Sequence, residues 1–388
     1  MASIHPRGPK KDGSYSYRLM WRDPEHGPSH QTLHTKQEAE LWKRLLDANG
    51  QSFSVAQRLH DESDLEGPTV AEAIEQHIEQ LVDVTPYTIK RYRGALKNHF
   101  NGPLGSLKVK GLKNADIVAW IKWMQGRGKS PKTIADKHGL LSAALLTQVR
   151  AGTIDRNPCD GVRLPKKRRV GDDGDDINMD DYKAIHARMD PHFQPFLDFL
   201  LGSGCRFSEG TALLGKDFVL DANPPLVLIT KAHKLGGENE PARYVGDPKS
   251  EKSRRRVSLA PSTVAAIAPA VKQALTDGGP VFRMKNGGVM THQAFYNRAW
   301  SKPRDAAGLG PGGDRHVTVH SIRHLHAAIM LAAGMSMYEL STRLGHNSIQ
   351  MTVDLYAHLM PDAHFRGAEH AAKALGELPV DPTDYDAA

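Results

Sequence analysis

His320-Ser-Ile-Arg323-His324, Leu344-Gly-His346 and Val353-Asp-Leu-Tyr356-Ala-His358 follow one another near the end of the chain. Far upstream stands Ser203-Gly-Cys-Arg206-Phe-Ser-Glu209. Between the two lies Pro248-Lys249-Ser-Glu-Lys252-Ser-Arg-Arg-Arg-Val-Ser-Leu259. In chain order the set is arginine, lysine, histidine, arginine, histidine and tyrosine. Such a set can hold a phosphodiester and attack it. Tyrosine is an uncommon nucleophile because its free hydroxyl has a pKa of about 10. It needs cations and proton-transfer partners nearby, and these segments supply both.

Taken singly, each member has a plainer reading. Arg206 follows a Ser-Gly turn and opens a helix, where its fork could grip two phosphate oxygens with Glu209 orienting it. Alone, that pair reads as structural. His320 and Arg323 lie one helical turn apart and share a face, so Arg323 could neutralise charge building on phosphorus. The spacing of His320 and His324 would also suit zinc. That alternative lacks the glutamate of a HExxH motif, and Arg323 would repel a dication, so no metal is expected. Lys249 sits between two strand candidates, where a hairpin could present it as a general acid. Lys252 is the alternative for that role. Tyr356, alone, reads as a half-buried packing residue.

The ordered set as a whole closely resembles the signature of the tyrosine recombinase, or phage integrase, superfamily. The resemblance implies that Tyr356 attacks the scissile phosphate, forming a 3′-phosphotyrosyl link and releasing a 5′-hydroxyl. It assigns Arg206 and Arg323 to the non-bridging oxygens, Lys249 to the departing oxygen, His320 to the nucleophile's proton and His346 to the phosphate. Neither a metal nor ATP is implied, because the covalent link stores the bond energy. Ser203 stands where the family usually has threonine. The long polar stretch from Lys231 to Tyr244 makes the register of the lysine hairpin less regular.

The remainder of the chain fits a multidomain protein, mainly α-helical with small β-sheets. At 388 residues it is long enough for two or three domains. Residues 1–60 begin with a basic arm containing Lys10 and Lys11. Strand-like alternation then carries Arg18 and Arg22, a second strand candidate covers 29–34, and Thr35 caps a helix over 36–48. The resemblance makes this unit an arm-type DNA-binding domain of sheet plus helix. Residues 68–163 are nearly all helical, with Thr69, Thr85-Pro86, Lys113-Asn114 and Ser130-Pro131 opening successive helices. This is the expected core-binding, SAM-like domain, whose helix openings carry Lys90, Arg91 and Lys132. Residues 164–176 form a charged linker with Lys166, Lys167, Arg168 and Arg169. Residues 177–378 mix helices with strands at 225–230 and 255–259 and form the expected catalytic domain. The acidic stretch 379–388 is expected to be a disordered tail.

Composition agrees with that layout. The net charge of +7 and pI of about 9.2 favour a polyanionic partner. Hydrophobic residues make up 39% with mean hydropathy −0.48, enough for several small cores but with no run that would cross a bilayer. The basic start has no apolar segment after it, so no signal peptide is expected. Only Cys159 and Cys205 occur, which argues against a disulfide framework and fits a bacterial cytoplasm. The partners implied are double-stranded attachment sites of core and arm type, further protomers in a homotetramer on DNA, and host or phage DNA-bending and directionality factors. The function implied is integration and excision of phage or mobile-element DNA. Alternatives are a type IB topoisomerase, a chromosome-resolving recombinase, or a DNA-binding protein with an inert site.

Overall fold

A computed structural model describes residues 1–9, 15–61, 66–102, 104–166, 177–248, 250–311, 315–356 and 371–374. Lys10, Lys11, Lys167, Arg168, Arg169, Lys249 and the tail 379–388 lie outside the described residues, as does most of the 164–176 linker. The fold is mostly helical with small antiparallel sheets. It divides into two compact units, Met1–Lys167 with Gly236–Pro241, and Arg168–Leu235 with Ala242–Ala388.

The first unit opens with a three-stranded sheet, β1 (Ser3–Arg7), β2 (Ser16–Asp23) and β3 (Gly27–Leu33), with β2 central. The strand β1 was not legible in the sequence, where it reads as a basic arm containing Pro6. Proline is tolerated there because β1 is an edge strand. Leu19 and Trp21 of β2 pack with Trp42 and Leu46 of α1 (Lys36–Ala48) and with α2 (Phe53–Asp61). Phe53 stacks between Trp21 and Trp42, each 5.3 Å away. Thr35 caps α1, its hydroxyl accepting from the Glu38 amide at 3.1 Å. Asp23 anchors the start of α2 by accepting from the Phe53 amide at 2.8 Å.

A separate helical core follows, built by α3 (Val70–Glu79), α4 (Pro86–Ala95), a π turn over Leu96–Phe100, α5 (Asn114–Gly126) and α6 (Pro131–Arg150). The caps expected at Thr69, Thr85 and Ser130 each accept a backbone N–H in the first turn of their helix. Trp120 is buried against Phe100 at 5.3 Å and donates its indole N–H to the His99 carbonyl at 2.7 Å. Burying an aliphatic or phenyl side chain of this kind contributes about 1.5–3 kcal/mol, so such residues set the packing of the four helices.

The second unit begins with α7 (Met179–Arg188), α8 (Gln194–Ser203) and the single turn α9 (Phe207–Gly210). A sheet of order β4 (Phe218–Val219), β5 (Leu226–Ile229) and β8 (Arg255–Ser258) follows, interrupted by the hairpin β6 (Ala232–Leu235) and β7 (Arg243–Gly246). The polar stretch after Lys231 therefore contains ordered pairing, with His233 opposite Val245. The helices α10 (Pro261–Asp277), α11 (His292–Phe295), α12 (Ser301–Ala306), α13 (Ser321–Ala332), α14 (Met337–Leu344) and α15 (Ile349–Tyr356) complete the unit. Its main core joins Phe196, Phe199, Val227, Val257, Phe282 and Trp300. A smaller cluster of Ala327, Leu331, Leu340, Leu344 and Tyr356 packs α13, α14 and α15 together.

Candidate active site

Gly204 ends α8 in the left-handed conformation (φ 64°) and turns the chain towards Arg206. No other residue fits, since a Cβ there would lie 2.5 Å from the His326 ring and 2.8 Å from Leu344. Arg206 caps α9. Its amide donates to Glu209 Oε2 at 3.0 Å and its Nη1 donates to Oε1 at 2.8 Å. Glu209, only 2% exposed, also accepts from Arg255 Nη2 at 2.9 Å. One buried carboxylate therefore holds two guanidinium groups, whose charge keeps it ionised and its pKa below the usual range despite burial. Arg255 completes its own fork with the carbonyls of Arg343 at 2.7 Å and Ser253 at 3.0 Å.

Arg323 projects from the first turn of α13 and is 3% exposed. Its Nη1 donates to the Gly204 carbonyl at 2.7 Å and its Nη2 to the Leu344 carbonyl at 2.8 Å. One side chain thus pins the Ser-Gly turn and the Leu-Gly-His turn together. Burial and the nearby Arg206 lower its pKa to about 10. Glu209 binds Arg206 and Arg255, and its charge also acts on Arg323. A phosphate entering here would meet a preformed excess of positive charge.

His346 follows Gly345, which ends α14 in the left-handed conformation. Its Nδ1 lies 2.7 Å from Thr352 Oγ1, which fixes the ring and leaves Nε2 as the nitrogen for a ligand. Burial, then Arg323, Arg206 and Arg255, push its pKa down to about 4. His320 directly precedes α13, with its ring edge-on to His324 at 5.1 Å. Packing and the neighbouring His324, Arg323 and Arg206 push its imidazole below the ordinary range, although part of the residue stays exposed.

Tyr356, at the end of α15, is 2% exposed. Its hydroxyl lies 2.9 Å from His324 Nδ1. Burial raises its pKa to about 12, while Arg323 opposes the rise. Lys252 donates Nζ to the Asn347 carbonyl at 2.9 Å, which places it beside the Leu-Gly-His turn. The structure thus brings together Arg206, Glu209, His320, Arg323, His346 and Tyr356.

Sequence reasoning missed Arg255, His324 and Thr352. Arg255 was hidden in a run of three arginines. Its only signal was alternation, because Arg255 and Val257 point inward from β8 while Arg256 and Ser258 point out. A further buried residue, His326, bridges the Leu201 carbonyl at 2.6 Å and Arg343 Nε at 3.1 Å beneath the site. Among the described residues no group of three or more His, Cys, Asp or Glu is placed to hold a metal ion. Among them, too, no helix is long and apolar enough to cross a membrane.

The described residues expected to touch DNA elsewhere are exposed apart from Arg18. Lys90, Arg91, Lys132 and Lys166 are exposed. Lys137, near Arg91, has its pKa lowered by burial and then by that like charge, and burial, then Lys137, Lys129 and Arg127, depress His99. Arg22 faces solvent from β2, on the side away from Leu19 and Trp21. Arg18 is half-buried on the same strand, opposite His5 and Thr32.

The two deeply buried imidazoles make stability depend on pH. His326 and His346 both have pKa values of about 4 in the fold against 6.5 when unfolded. Between those values the unfolded chain binds the extra protons, so stability is complete above pH 6.5 and falls as pH drops towards 4. Each ring corresponds to up to about 3 kcal/mol. Urea unfolding at pH 7.5 and pH 4.5 is expected to show a loss of several kcal/mol, and a flat profile would contradict it.

A model of the phage integrase family matches residues 177–362. The integrase attributed to prophage phiRv2 of Mycobacterium tuberculosis is 26% identical over 323 residues, covering 82% of this chain and 81% of the relative. The integrase of Mycobacterium phage L5 is 24% identical over 356 residues, covering 89% and 91%. Among solved structures, the integrase of transposon Tn1549 in complex with a circular-intermediate DNA matches with TM-score 0.67 and 21% identity. That match covers 79% of this chain and 100% of the other. The site residues lie within that matched segment, and together these likenesses support a tyrosine recombinase of the phage-integrase type.

Proposed function

We propose that this protein integrates and excises mobile DNA between defined sites, cutting and rejoining strands through Tyr356. The observation that carries the reading is the junction made by Arg323. Its two carbonyl bonds tie the Arg206 turn to the His346 turn, next to a tyrosine whose hydroxyl already has an imidazole partner. In the proposed reaction the Tyr356 oxygen bonds to phosphorus and the bond to the 5′ oxygen breaks. Arg206 and Arg323 hold the non-bridging oxygens and stabilise the five-coordinate transition state. His346 donates a hydrogen bond from its free nitrogen, His320, to which the resemblance assigns the nucleophile's proton, stands beside the arginines, and a hairpin lysine protonates the leaving oxygen. Lys249 is our assignment for that lysine, with Lys252 as the alternative. A partner 5′-hydroxyl then reverses the steps, so neither ATP nor metal is needed.

We assign residues 1–60 to arm-type sites, 68–163 to core-type sites and 177–378 to catalysis, with 164–176 linking the last two. The sheet face bearing Arg18 and Arg22 would enter a groove. The cations around Arg91 and Lys137 would lie along phosphates, together with the basic residues at 10–11 and 166–169. Assembly as a homotetramer on DNA, aided by bending and directionality factors in a bacterial cytoplasm, completes the reading. A separate N-terminal sheet favours recombination between defined sites over the general relaxation of a type IB topoisomerase.

Nicked duplexes made from the DNA flanking the coding sequence test this. The wild-type chain is expected to give a covalent protein–DNA band that survives EDTA. Removing residues 1–60 is expected to spare that band and to impair complete integration. Absence of the band on every flanking duplex, or its loss in EDTA, would overturn the mechanism.

A further inference from the structure

The hydroxyl of Tyr356 has one hydrogen-bond partner among the described residues, and it is His324. Nδ1 and Oη are 2.9 Å apart, and the two rings meet at 5.7 Å with a 56° tilt. Its ring packs in one apolar cluster with Ala327, Leu331, Leu340 and Leu344, and the Arg323 charge also acts on it. His324 follows Arg323 on α13, so the same helix turn that places a guanidinium in the site also places an imidazole against the nucleophile. His320 lies one turn earlier, edge-on to His324, and the charges that act on it include both Arg323 and Arg206. The two histidines therefore face different parts of the reaction, His320 the arginine fork and His324 the tyrosine.

We propose that His324 is a further catalytic residue, whose Nδ1 accepts the proton of Tyr356 as its oxygen attacks phosphorus. This rests on the reading of Tyr356 as nucleophile. A neutral imidazole with its hydrogen on Nε2 presents a lone pair at Nδ1 to the hydroxyl. During cleavage the Oη–H bond breaks and the proton passes to Nδ1. The Oη–P bond forms, the P–O5′ bond breaks, and the leaving oxygen takes its proton from a separate acid of the site. On rejoining, an incoming 5′-hydroxyl gives its proton to that now deprotonated acid and displaces Oη, and His324 returns its proton to the tyrosine. Moving the proton together with attack avoids forming a free phenolate at a buried hydroxyl.

The test compares full-length wild type, His324→Ala and His324→Asn on nicked flanking duplexes in single-turnover cleavage. A second set of duplexes carries sulfur in place of the bridging 5′ oxygen, which removes the need for an acid on the leaving group. Both variants are expected to cleave about 100-fold more slowly or worse while binding DNA as wild type does. Sulfur should not restore them, and added imidazole should speed His324→Ala. Asparagine keeps a polar group at the position, so that variant carries the test should the alanine protein fail to fold. A His324→Asn rate within about threefold of wild type would overturn the proposal, leaving the bond a positioning contact. Recovery with sulfur would also overturn it, by moving His324 to the leaving group. Tyr356→Phe separates the two levels. If that variant still forms an adduct, the nucleophile reading itself fails. If it forms none while His324→Asn cleaves normally, only the role of His324 fails.

Discussion

Tyr356→Phe is expected to bind DNA with wild-type affinity and to form no covalent adduct, a loss of at least about 10⁴-fold in cleavage. The substitution removes one oxygen and leaves the ring. The phenyl group keeps its place among Ala327, Leu331, Leu340 and Leu344, so α15 should stay packed on α13 and α14. What disappears with the oxygen is its hydrogen bond to His324, worth about 1 kcal/mol. Fold and DNA affinity therefore survive while the chemistry does not. Denaturing gels measure the adduct, and equilibrium binding measures the affinity. A loss of binding equal to the loss of cleavage would mean that the tyrosine serves the fold instead of the reaction.

Glu209→Ala is expected to be the most destabilising single change in the site. Its carboxylate is buried between Arg206 and Arg255, at 2.8 and 2.9 Å. Removing it leaves Arg255 buried beside Arg323 with no counter-charge. Breaking a buried pair from one side costs about 3–5 kcal/mol. Arg206 also loses the bonds to its amide and its fork, so cleavage should fall even where the variant remains folded. Glu209→Gln keeps an acceptor and should lie between the two. Urea unfolding measures the stabilities, and a Glu209→Ala loss below about 1 kcal/mol would show that the pair behaves like an exposed one.

Much of the fold was legible because local rules agreed with tertiary ones. Thr35, Thr69, Thr85 and Ser130 announce helices by cap chemistry, and α1 begins where its cap predicts. The strand candidates at 225–230 and 255–259 correspond to β5 and β8, whose pairing is seen only in the fold. The edge strand β1 and the helix α2 escaped for different reasons. Pro6 is acceptable only at a sheet edge, and α2 starts on a bond from Asp23, thirty residues earlier. Site chemistry divided in the same way. Residue types with a recognised order, such as Arg206 and Tyr356, could be read along the chain. The carboxylate shared by Arg255 and the hydroxyl shared by His324 could not, because both arise where segments far apart in sequence meet. His324 looked like half of a zinc pair, whereas its ring lies against Tyr356 in the structure.

The most direct measurement is to trap the adduct on a nicked duplex, digest the protein and identify the peptide that carries the nucleotide. The account predicts a 3′-phosphate bonded to Tyr356 and a free 5′-hydroxyl on the released strand. A nucleotide on any other residue, or a 5′-phosphate in the link, would contradict it.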